Sequence, residues 1–111
     1  MEKLSNEQLM KLRDYLISNA KRLANEGKIS ELPYYPGRNE MRDYTWTIID
    51  VAGFGKIEMY FTGDSSIVKI NSVRFDANLV RELNFYDAET AIRQAFRDKK
   101  IRDASKWLDN L

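Results

Sequence analysis

The sequence predicts an α+β fold: one helix, a three-stranded antiparallel β-meander, then a kinked or interrupted C-terminal helix packed on one face of the sheet. Three observations predict it. Apolar residues recur at helical spacing over residues 5–26. Between Tyr44 and Phe75 the chain alternates in polarity in three runs, separated by short glycine-containing turns. Helical spacing then returns from Ala88 onward.

The first helix is marked at both ends. Ser5 and Gln8 have the spacing of a capping box, and Leu4 and Leu9 occupy the two positions of a hydrophobic staple. Leu9, Leu12, Leu16, Ala20 and Leu23 follow at three- and four-residue steps, which places them on one face. Tyr15 and Ile17 widen that face, and Lys11, Asp14, Lys21 and Arg22 lie off it. Gly27 closes the helix, because it accepts the positive φ that a C-terminal cap demands.

Residues 28–42 read as a long connection. Pro33 and Pro36 bracket Tyr34 and Tyr35, and Pro36-Gly37 suits a type II turn. Each proline holds the residue before it extended. Two tyrosines on such a stiff turn, with Arg38 beside them, are the residue types that supply binding hot spots. Tyr34, Tyr35 and Arg38 are therefore partner-binding candidates. The same aromatic residues also suit a lid over the core.

The meander follows. Tyr44, Trp46 and Ile48 fall on one face of a first strand, and Thr45, Thr47, Ile49 and Val51 on the other. In a second strand Ile57, Met59 and Phe61 alternate with Glu58 and Tyr60. A third is expected from Ser66 to Phe75, with Val68 and Ile70 on one face. Alternation with charged residues implies a sheet covered on one side. The short turns Ala52–Gly55 and Thr62–Ser65 favour antiparallel hairpins. Gly53-Phe54-Gly55 lacks the third glycine and the following helix of a phosphate-binding loop, so it reads as a turn.

Residues 76–86 read as an irregular link or a short extra strand or turn, and Asp87 as the cap of a helix that starts at Ala88. Ala88, Ala91, Ile92, Ala95 and Phe96 share one face. Counted from Ala88 on a helical wheel, that group centres at about 10°, whereas Ile101, Ala104, Trp107, Leu108 and Leu111 centre at about 165°. Either the helix breaks near Asp98–Lys100 or its distal half meets another surface. The second option makes Trp107 a partner-binding candidate. Arg97, Lys99, Lys100 and Arg102 cluster at the join and are polyanion-binding candidates, although Asp98 and Asp103 interrupt them.

Composition narrows the function classes. The 111 residues suit a single small domain with a core of its own. The chain contains no cysteine and no histidine. Thiolate nucleophiles, Cys/His zinc sites and histidine general bases are thereby excluded. The carboxylates Asp50, Glu58, Asp64, Asp76 and Asp87 show no diagnostic acid–base spacing. No cofactor and no metal are expected. With 18 basic and 17 acidic side chains, interspersed from end to end, no segment has the single-sign excess that steers a protein to a polyanion. The amino terminus lacks a signal peptide's apolar stretch and no run has the length of a membrane span, so a cytoplasmic location without membrane attachment is expected.

In outline, helix–three strands–helix is similar to the double-stranded RNA-binding domain over roughly residues 5–98. That family carries a Lys-Lys-x-Ala-Lys-type phosphate-binding run at the start of its second helix. Here that place holds Asp87-Ala88-Glu89-Thr90-Ala91, which repels phosphate, and the basic group comes later. The likeness is one of outline, and outline does not carry function. The expectation is a small non-enzymatic protein-binding module, such as an inhibitor, adaptor or regulatory subunit, with a protein partner or a second copy of itself. A nucleic-acid-binding domain using residues 97–102 is the alternative, and an enzyme using carboxylate or Tyr/Lys chemistry is a third reading.

Overall fold

A computed structural model describes residues 4–31, 44–48, 55–61 and 66–111. The expected lid or binding loop at Pro33–Arg42 and the turns at Ala52–Phe54 and Thr62–Ser65 lie outside the described residues. Helix α1 spans Asn6–Asn25. Strands β1 (Ile29–Glu31), β2 (Tyr44–Ile48), β3 (Ile57–Phe61), β4 (Ser66–Ile70) and β5 (Val73–Arg74) follow. A short helix α2 (Ala77–Glu82) leads into the long helix α3 (Phe85–Asp109).

Both ends of α1 are built as the sequence requires. The Ser5 hydroxyl accepts from the Gln8 amide, and the Gln8 side chain accepts from the Ser5 amide at 2.8 Å. The capping box therefore satisfies two amides that the first turn leaves without partners. Leu4 remains about half exposed, while Leu9 is buried. At the other end the Lys28 amide donates to the Leu23 carbonyl and the Gly27 amide to the Ala24 carbonyl, with Gly27 at φ +73°. This is a Schellman motif, and it turns the chain directly into β1.

The five strands form one antiparallel sheet in sequence order, β1-β2-β3-β4-β5. The three long strands are the expected meander. Two short strands extend it at the edges. β1 uses residues at the start of the connection, pairing Ile29 with Ile48. β5 arises because the expected third strand folds back on itself at Asn71-Ser72. Both of these residues have positive φ (49° and 71°), and Ile70 pairs with Val73. Two consecutive left-handed residues are the requirement of a two-residue type I′ hairpin, and asparagine tolerates that conformation best among non-glycines.

One face of the sheet carries the core. Ile29, Ile48, Ile57, Met59, Val68 and Ile70 are buried there. From the helices come Leu9, Leu16, Ala20 and Leu23 of α1, Val80 of α2, and Phe85, Ala88, Ile92 and Ala95 of α3. Two polar ties show that α1 and α3 run in the same direction across the sheet. The Arg13 guanidinium donates to the Leu83 carbonyl just before α3, and Arg102 donates to Asn25 at the far end of α1.

The C-terminal helical region is interrupted, at Leu83-Asn84 and not at Asp98–Lys100. Asp76 caps α2 through the Asn78 amide, and Asn84 at φ 54° redirects the chain into α3. Helix α3 therefore begins at Phe85, three residues before the expected start. Asp87 sits in its first turn and accepts from the Asn84 side chain at 2.8 Å, rather than serving as the cap. The earlier start buries Phe85, edge-on to Phe75 with ring centroids 6.5 Å apart. That apolar anchor is the physical reason the helix reaches back to residue 85.

Candidate functional site: the outward face of the last helix

Helix α3 continues unbroken through Asp98–Lys100. A continuous helix carries the phase change in its side chains. Phe85, Ala88, Ile92 and Ala95 step by three and four residues along the buried face. The same stepping continues that face through Lys99, Arg102, Lys106 and Asp109, all polar. The outward face does the reverse. Arg97, Ile101, Ala104, Leu108 and Leu111 follow one another at four, three, four and three residues, with Lys100 and Trp107 along one flank. The polarity of the two faces exchanges near residue 97.

The outcome is an apolar surface directed away from the sheet. Ile101 is 62 % exposed, Trp107 64 %, Leu108 58 % and Leu111 84 %. Every residue from Ile101 to Leu111 is exposed. Large apolar side chains scattered singly are ordinary on a protein surface. Ile101 and Leu108 share one side of α3, with Leu111 just past its end and Trp107 along the flank, and apolar patches of this kind mark contact sites.

The sequence-derived candidates separate on this helix. Trp107 lies beside the patch. Tyr34, Tyr35 and Arg38 lie outside the described residues. The four basic candidates do not share one face. Lys99 is bound to Asp103 at 2.8 Å on the body-facing side, and Arg102 is tied to Asn25. The Lys99 ammonium holds the Asp103 carboxyl below its ordinary range by hydrogen bonding to it. Arg97 and Lys100 stand instead on the outward side, at the amino-terminal end of the apolar patch. Lys100 has its ammonium 4.8 Å from the centre of the Phe96 ring. Sequence reasoning grouped Arg97 and Lys100 with their neighbours in sequence. The four-three stepping from Arg97 to Leu111 was the signal that groups them with Ile101 and Leu108.

A second polar cluster lies on the sheet face opposite the helices. Tyr60 donates to Glu58 at 2.6 Å, and the Lys56 ammonium is 3.4 Å from the same carboxylate. Lys69 pairs across strands with Glu58 and lies 5.7 Å from the Tyr60 ring centre. The Tyr60 hydroxyl, with help from Lys56, holds the Glu58 carboxyl below its ordinary range. This arrangement is a cross-strand network that stabilises β3 against β4. Among the described residues no group of three or more carboxylates is placed to hold a metal ion, and no helix is long and apolar enough to cross a membrane. Comparison of the chain with protein-family models, with curated proteins and with solved structures finds no match.

Proposed function

We propose that the chain is a small, non-enzymatic protein-binding module, and that its contact element is the distal half of α3. The observation that carries this reading is the exposure of Ile101, Trp107, Leu108 and Leu111 in the distal half of a helix whose amino-terminal half packs on its own domain. An apolar helical stripe of this kind supplies anchors to a partner's groove at three- and four-residue spacing. Tryptophan at the edge of such a stripe is a frequent hot spot, because it buries a large area for little lost rotamer freedom. The absence of cysteine supports a reducing compartment such as the cytoplasm.

The test uses Trp107→Ser and Leu108→Ser in the full chain. Both side chains are exposed, so the melting temperature is expected to stay within about 2 °C of the parent. Affinity capture from nuclease-treated lysate is expected to yield a stoichiometric protein with the parent chain and to lose it with either variant. Capture that survives both substitutions overturns the assignment of the contact to α3.

A further inference from the structure

We propose that the outward face of α3 docks into a groove on a different protein, apolar along most of its length and lined by carboxylates at one end. This rests on the protein-binding reading above and specifies the partner's chemistry. The argument is the order of charge along one face. Arg97 and Lys100 stand at its amino-terminal end. From Ile101 the face is apolar through Ala104, Leu108 and Leu111. No acidic side chain occupies that face from Arg97 to Leu111. The two cations are exposed, whereas the neighbouring Lys99 is already neutralised by Asp103. A complementary surface therefore presents negative charge to Arg97 and Lys100 and an apolar channel beyond them.

Other occupants fit this order less well. A second copy laid antiparallel, with Ala104 against Leu108, matches apolar to apolar but leaves Arg97 and Lys100 beyond the end of its stripe. Laid parallel, it sets Arg97 against Arg97. A groove reaches round the helix and covers Trp107 as well. A helix lying on an anionic membrane flanks its apolar face with lysine and arginine along the whole length. Here Arg97 and Lys100 stand at one end only and Lys106 lies on the opposite side of the helix, so the apolar part has no basic flank along its length.

The experiment places a photoreactive benzoylphenylalanine at Ala104 of the full chain, and in a control at Lys106 on the opposite side of the helix. Both are irradiated in nuclease-treated lysate, and cross-linked peptides are sequenced by mass spectrometry. The expected result is one protein joined at position 104 and absent at 106, through a peptide bearing apolar residues and clustered Asp or Glu. Its yield is expected to fall about tenfold with Arg97→Glu/Lys100→Glu, and similarly in high salt. It is expected to disappear with Trp107→Ser. Loss with Trp107→Ser but indifference to the charge reversals overturns the acidic end and leaves the protein-binding reading intact. Cross-linking only to a second copy overturns the proposal in favour of self-association. No cross-link to any protein overturns both readings. Binding to phosphatidylserine vesicles that the charge reversal abolishes, without a protein cross-link, transfers the face to a membrane.

Discussion

Gly27 adopts φ +73°, and a methyl group added there meets no heavy atom within 4 Å. The consequence of Gly27→Ala is therefore confined to the backbone, since an L-residue in the left-handed region costs about 1 kcal/mol. The variant is expected to melt about 4 °C below the parent while keeping the same spectrum. Gly55 is a different case, because its added methyl would collide with the side chain of Asn71, whose Oδ1 accepts from the Lys56 amide. At Glu58 the effect is electrostatic. The Tyr60 hydroxyl donates to the carboxylate, with Lys56 beside it, and the folded-state pKa lies below the ordinary 4.5. A depressed carboxylate pKa contributes stability that is fully present above the unfolded-state value and is lost as pH falls through the folded-state value. Glu58→Gln is expected to cost about 1 kcal/mol at pH 7. The gap between parent and variant should close as the pH of the unfolding measurement is lowered through and below 4.5. A gap that persists unchanged in acid would mean that the glutamate acts by packing and not by charge.

Within α3 the two halves of one continuous element have opposite relations to the fold. Ile92 is fully buried against the sheet and Leu108 stands in solvent. Ile92→Ala is expected to lose about 3 kcal/mol, from transfer and cavity together. Leu108→Ala is expected to change stability by less than about 0.5 kcal/mol, and denaturant unfolding of both variants measures the contrast. The same helix shows what sequence makes legible. Spacing alone placed Ala88, Ile92 and Ala95 on the core side and Ile101, Ala104 and Leu108 on another, and both groups lie where the period puts them. Spacing could not say whether the backbone would break to reunite the groups. That depends on whether burying the distal stripe would repay a broken helix, and the alternative anchor was Phe85 against Phe75, a contact between residues of unrelated local pattern. The α1 boundaries were readable because Ser5, Gln8 and Gly27 act within one turn of themselves. The Asn71-Ser72 hairpin was missed because alternation runs on across it, and only the left-handed backbone of the pair divides the strand. The place of Arg97 and Lys100 on the outward side, next to Ile101, became visible once α3 proved continuous.

At the scale of the whole molecule, the core and the proposed contact face are separable. Among the described residues every core residue lies between Leu9 and Ala95, and every residue from Ile101 onward is exposed. The ties of this last segment to the rest are polar and exposed: Arg102 to Asn25, and Asp103 to Lys99 within the helix itself. Exposed ties of this kind each contribute less than about 1 kcal/mol. A chain ending at Lys100 is therefore expected to retain its cooperative unfolding transition, with stability lower by about 1 kcal/mol or less. Its circular dichroism should lose the helical signal of residues 101–109 and nothing of the sheet. Partner capture should be lost, because the truncation removes Trp107 and Leu108 while leaving Arg97 and Lys100 in place. The comparison with the charge-reversed full chain then separates the two parts of the face. If the apolar patch anchors and the cations orient, truncation abolishes binding at any ionic strength, whereas charge reversal weakens it most at low salt, where the partner's carboxylates are least screened. A truncated chain that unfolds without cooperativity would show instead that the distal helix belongs to the fold.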